Sequence, residues 1–99
     1  MQFKEGKMKT IKDYNKAIEL DPNYAIAYNN RGVAYDNKEQ YDKAIKDYNK
    51  AIELDPNYAI DYNNRGVAYD NKEQCYKAIE DYNKADKITC EMKKRRKRK

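Results

Sequence analysis

The chain has no histidine, no serine and no tryptophan among its 99 residues. Losing histidine and serine together removes the usual general base and the serine nucleophile. There is no CxxC pair and no histidine to build a zinc site. The three glycines, Gly6, Gly32 and Gly66, are scattered, so no glycine-rich phosphate loop exists. Carboxylates are many, but their spacing reads as a solvated helix face. These absences argue against an enzyme and imply no cofactor and no metal. No apolar run approaches the ~20 residues of a membrane span, and the start MQFKEGKMK lacks the apolar stretch of a signal peptide. The expectation is a soluble, intracellular, cytoplasmic protein. Only two cysteines occur, Cys75 and Cys90. On one helix they would stand ~22 Å apart at ~1.5 Å per residue, beyond the ~7 Å that a disulfide allows between Cα atoms. They read as reduced thiols.

What is present is repetition. YNNRGVAYDNKEQ runs from Tyr28 to Gln40 and again from Tyr62 to Gln74. KAIELDPNYAI starts at Lys16 and Lys50, and DYNKA starts at Asp13, Asp47 and Asp81. The only two prolines, Pro22 and Pro56, share the same 34-residue spacing. Aligning Tyr24–Ala51 on Tyr58–Ala85 leaves four mismatches: Ala27/Asp61, Tyr41/Cys75, Asp42/Tyr76 and Lys46/Glu80. Internal repeats of this length decide the architecture before any other signal.

Within a unit, Tyr41, Ala44, Ile45, Tyr48, Ala51 and Ile52 step by three and four, the helical period. Pro56 ends that helix, because the residue before a proline is pushed out of the helical region. A second helix is expected from about Asn57 or Tyr58 to Asn71. Gly32 and Gly66 fall mid-helix, where glycine costs ~1 kcal/mol relative to alanine, so a neighbouring helix should approach closely there. The turn DNKEQ has no glycine, and either Asn37 or Glu39 is expected to take a left-handed conformation. One helical hairpin cannot bury its own apolar stripe, whereas stacked copies can. The reading is all-α: five helices in a helix–turn–helix solenoid of about two and a half 34-residue units. Residues 1–92 form the repeat domain, with a half unit over 8–23 and units over 24–57 and 58–91. Charged residues make up 39% of the chain, which suits thin, quasi-linear packing.

The pattern resembles the tetratricopeptide repeat, whose signature is an aromatic, a leucine–glycine pair, a tyrosine, an alanine, an aromatic, an alanine and a proline. The matching residues are Tyr28, Arg31–Gly32, Tyr35, Ala44, Tyr48, Ala51 and Pro56. The next unit supplies Tyr62, Arg65–Gly66, Tyr69, Ala78, Tyr82 and Ala85, with Cys90 in place of proline. The half unit supplies Tyr14, Ala17 and Pro22. Arg31 and Arg65 replace leucine: either their stems pack while the guanidinium reaches water or an acid such as Asp47, or they form a polar lock or a ligand contact. Without its stop proline, the last helix should run on past residue 90.

The resemblance implies a right-handed superhelix and a non-catalytic scaffold that holds an extended peptide or a partner's helix in its concave groove. The groove residues it implies are Ile26, Asn29, Asn30, Val33, Asp36 and Asn37, then Ile60, Asn63, Asn64, Val67, Asp70 and Asn71. An asparagine amide both donates and accepts, so a ladder of them can satisfy a peptide backbone of any sequence. Alternatively, they are solvated or bond to neighbouring turns. The slots where the family's basic clamp places Lys or Arg hold Ile26, Asn29, Ile60 and Asn64, so a neutral or basic segment is expected rather than an acidic C-terminus.

The end of the chain, Lys93, Lys94, Arg95, Arg96, Lys97, Arg98 and Lys99, dominates the net charge of +5. The remainder carries 15 cations against 17 anions. Seven like charges repel, so residues 93–99 are expected to be a disordered basic tail. It could serve as a nuclear-import signal or an RNA- or phospholipid-binding tag, the first two of which would make the protein a nuclear or nucleic-acid-associated adaptor, or simply solubilise the end. The half unit, predicted as a helix over Met8–Leu20, leaves Ile11, Tyr14 and Ile18 without their usual partner. Such a stripe points to self-association, a homo-oligomer or a purely structural module.

Overall fold

The computed structural model describes residues 10–97. Five α-helices make up this part: α1 (Ile11–Leu20), α2 (Ala25–Asn37), α3 (Tyr41–Leu54), α4 (Ala59–Asn71) and α5 (Cys75–Lys97). No strand occurs among the described residues. Each helix packs on the next, and α2 also touches α4, so α2 and α4 form one row of an α-solenoid. Residues Met8 and Lys9 of the expected first helix lie outside the described residues, as do Arg98 and Lys99.

The boundaries follow local chemistry. Thr10 caps α1 through a capping box: Asp13 N donates to Thr10 Oγ1 at 3.2 Å, and Thr10 N donates to Asp13 Oδ2 at 3.4 Å. Asp21 and Asp55 precede the prolines outside the helical region and end α1 and α3. The prolines also anchor the next helix, because Tyr28 and Tyr62 donate their hydroxyls to the carbonyls of Pro22 and Pro56 at 2.9 Å.

The turn after α2 resolves the choice left between Asn37 and Glu39. Asn37 stays helical; Glu39 has φ 62°, and Glu73 in the next unit has φ 64°. Gln40 N donates to Tyr35 O at 2.9 Å, and Glu39 N donates to Asp36 O at 2.9 Å. That pair of bonds is a Schellman motif, which requires the left-handed residue two positions past the last helical one. Glutamate bears the strain that glycine usually removes.

The core is built from small residues around one large one. Ala27, Ala44, Ala51 and Ala68 are fully buried, and Tyr48 is 1% exposed beside Ala44 and Ala68. A Cβ added to Gly32 would stand 2.6 Å from the Tyr48 ring, and one on Gly66 would stand 2.8 Å from Tyr82. The two glycines therefore sit where the tyrosine of the following helix presses on the backbone. A second cluster joins Tyr62, Ala85 and Ile88 to Ile52 and Ala59, tying α3, α4 and α5 together. By contrast α1 has no buried residue; Ile11, Tyr14 and Ile18 are half-covered.

The end of the chain departs from the expectation of disorder. Helix α5 continues without a break through Lys93 to Lys97. Lysine and arginine are good helix formers, and no proline or glycine follows Ala85. Cations in the last turn also meet the negative end of the helix dipole, which offsets part of their mutual repulsion. Cys75 and Cys90 are both on α5, free and exposed.

Candidate functional site

The row formed by α2 and α4 presents the twelve residues implied for the groove, and they do not all behave alike. Ile26 and Ile60 are half-exposed (50% and 49%), Val67 is exposed, and Val33 is half-buried under the following unit. Asn29 is buried, and its Oδ1 accepts a hydrogen bond from Asn64 Nδ2 at 2.9 Å. Asn71 Nδ2 donates to Asp36 Oδ1 at 3.3 Å. These two bonds join α2 to α4 and set one unit against the next. Half-buried Asn30 and exposed Asn37 and Asn63 make no side-chain hydrogen bond among the described residues. Asp70 accepts from the Tyr82 hydroxyl at 3.4 Å. Burial, reinforced by Asp36 and other nearby carboxylates, raises the Tyr48 hydroxyl well above its usual value, so it stays protonated.

So the asparagines divide. Asn29 and Asn71 hold neighbouring units together, Asn64 shares one amide N–H with that task, and Asn30 and Asn63 remain free. The twelve groove positions bear acids at Asp36 and Asp70 and no cation; Arg31 and Arg65 of the same helices lie on the other stripe. Of the basic end, Lys93, Lys94, Arg95 and Arg96 are exposed on α5, and Lys97 belongs to the same helix.

The arginines that replace leucine form a lock on the other stripe of each first helix. Arg31 Nε and Nη2 donate to the two oxygens of Asp47 at 2.8 and 2.7 Å, and Nη1 donates to Asn15 Oδ1 at 2.8 Å. Arg65 repeats this with Asp81 and Asn49 at 2.8, 2.7 and 2.8 Å. Each guanidinium joins three helices. The bond to the buried carboxylate raises the arginine pKa against the opposing effect of burial. Pairing of this bidentate kind is the stronger class of charge-assisted bond.

Asp61 was visible in the sequence only as a mismatch with Ala27. It is 1% exposed, and neither carboxylate oxygen meets a donor among the described residues. Burial first, and the charge of Asp55 second, push its pKa up from 3.8 to about 7. The signal was there: a charge replacing alanine on the core-facing side of an otherwise identical helix. Among the described residues no group of three or more Cys, Asp or Glu is placed to hold a metal, and no helix is long and apolar enough to cross a membrane.

Models of the tetratricopeptide repeat match residues 25–58 and 47–87, and a related repeat model matches 9–38. The chain belongs to the tetratricopeptide repeat family. Among curated proteins none matches its sequence. The repeat fold here is similar to the crystal structure of MamA, with 33% identity and a TM-score of 0.81 over 85% of this chain and 49% of that one. It is equally similar (TM-score 0.81, 31% identity) to the TPR2B domain of yeast Sti1, solved as a complex with pHsp70, over 85% of this chain and 67% of that one. The second TPR of Spaghetti (RPAP3), bound to the HSP90 peptide SRMEEVD, is 29% identical, with a TM-score of 0.76 over 79% of this chain and 72% of that one. The chain spans about half the length of the MamA structures it matches. Two of these tetratricopeptide neighbours thus carry a partner's peptide on the same fold.

Proposed function

We propose that this tetratricopeptide chain is a non-catalytic scaffold that takes up an extended, neutral or basic segment of a partner protein along α2 and α4. One observation carries the reading: half-exposed Ile26 and Ile60 accompany Asn30 and Asn63, whose amides are uncommitted, among groove positions whose charges are the carboxylates of Asp36 and Asp70. The peptide complexes of Sti1 and RPAP3 support the mode. The absence of cations from the groove positions argues for a ligand of opposite charge to SRMEEVD. Fluorescence anisotropy with labelled SRMEEVD and its charge-reversed counterpart SRMKKVK tests this. The reversed peptide should bind saturably and the acidic one weakly. Asn30→Ala with Asn63→Ala should weaken the bound peptide by ~1–3 kcal/mol, since buried backbone groups lose partners. Tighter binding of SRMEEVD would refute the charge argument, and no effect of the double substitution would place the peptide elsewhere.

Two further readings rest on separate features. The exposed cations of α5 form a helical basic end suited to nucleic acid. If all seven cations of residues 93–99 meet phosphates, affinity should fall with a log–log salt slope of ~−5 to −6. The thinly covered stripe Ile11, Tyr14 and Ile18 of α1 supports self-association, and a strictly monomeric species in sedimentation up to ~1 mM would remove it.

A further inference from the structure

On α2, Tyr28, Arg31 and Tyr35 recur at helical spacing on the stripe opposite Ile26, Asn30 and Val33. With Lys43, Lys46 and Lys50 of α3 they line a cavity of about 410 Å³ at the α2–α3 seam. The Arg31 guanidinium lies 5.7 and 5.9 Å from the centroids of the two tyrosine rings. Its charge is already met by Asp47, which also lines the cavity. The lysines are differently placed. Lys43 Nζ lies 5.5 Å from the Tyr35 ring centroid, Lys50 Nζ is 3.7 Å from a Glu53 oxygen, and exposed Lys46 has no partner among the described residues. The cavity thus has a neutralised floor, two aromatic walls and a rim of ammonium groups.

We infer that this seam is an anion site for a polyphosphate chain, free or carried by a nucleotide. Lys43 to Lys50 covers about 10 Å of helix rise, the reach of two or three linked phosphates. Ammonium groups act as point charges on phosphate oxygens. The tyrosine faces offer a stacking surface if a base is attached.

The second unit provides a built-in comparison. Tyr62, Arg65, Tyr69, Lys77, Asp81 and Lys84 repeat the arrangement. Arg65 pairs with Asp81, and Lys77 and Lys84 lie 5.5 and 6.0 Å from the Tyr69 and Tyr62 ring centroids. Glu80 stands where Lys46 stands in the first unit. A carboxylate on the rim repels the anion and removes one of its contacts, so the first unit binds and the second does not.

Isothermal titration of the full chain with inorganic tripolyphosphate and, separately, ATP tests this. The basic end is silenced by Gln at all seven of Lys93, Lys94, Arg95, Arg96, Lys97, Arg98 and Lys99. One equivalent should bind. Lys46→Glu should weaken it roughly tenfold or more, the loss of a charged contact with a repulsion added. Glu80→Lys should raise the stoichiometry from one to two. Both substitutions install at an exposed position a residue that the other unit already tolerates, and circular dichroism checks the fold. Tighter binding of ATP than of tripolyphosphate would assign base stacking to the tyrosines; equal binding would assign the site to phosphate alone. No saturable binding, binding indifferent to Lys46→Glu, or an unchanged stoichiometry in Glu80→Lys would overturn the assignment.

Discussion

Replacing Asp61 by alanine should make the protein more stable, and more so as the pH rises. Ala27 fills the equivalent place in the preceding unit and is completely buried, so the small side chain is known to fit. Asp61 is as deeply buried, but its carboxyl has no donor among the described residues and sits near Asp55. Its pKa rises from 3.8 to about 7 on folding. Between those values the folded chain holds a proton that the unfolded chain has lost. Stability must therefore fall as the pH climbs through that window and level off above it. A rise from 3.8 to about 7 corresponds to ~4 kcal/mol, an upper figure for one group. The protonated carboxyl still lacks a partner, which adds ~1–3 kcal/mol at every pH. Against a total stability of ~5–15 kcal/mol this is a large share. Urea denaturation followed by circular dichroism, near pH 5 and near pH 8, should show Asp61→Ala gaining a few kcal/mol at the higher pH and markedly less at the lower. The reciprocal Ala27→Asp should destabilise the chain with the same pH trend. Equal stability of wild type and Asp61→Ala at both pH values, or a loss at the higher one, would refute the argument.

The turns and the arginine lock give two further expectations. Glu39→Gly and Glu73→Gly should each raise stability by ~0.5–1 kcal/mol, because glycine adopts the left-handed conformation without a Cβ penalty; thermal melts of the single and double variants check additivity. Arg31→Leu installs the family's usual residue yet should cost ~3–5 kcal/mol, because it strands the buried Asp47 carboxylate. Arg31→Leu combined with Asp47→Ala should recover most of that loss in a double-mutant cycle.

Periodicity and proline placement carried the helices of the first two units to within a residue or two, because both act locally. Gly32 was legible for the same reason: a glycine inside a helical pattern needs a neighbour pressing on it, and Tyr48 does so. The choice between Asn37 and Glu39 was not legible. Asparagine tolerates the left-handed region better, but the Schellman hydrogen bonds fix the position irrespective of the residue there. The groove was readable as a set and not by role, since only packing of α4 on α2 separates Asn29, committed to Asn64, from Asn30, which is free. The helical state of residues 93–97 was not anticipated because charge repulsion was weighed without the helix propensity and dipole that oppose it. Asp61 shows the limit of reading one residue at a time: its burial comes from the row of units around it.

The unbroken course of α5 has a consequence for how the molecule meets anything charged. Pro22 and Pro56 fold the chain back after α1 and α3; Cys90 lets the last rod keep going, so cations are carried on its far end while the stacked units hold a slight surplus of carboxylates. A body so polarised is torqued in an electric field before it touches anything. It would swing round to present that rod first to a negative surface.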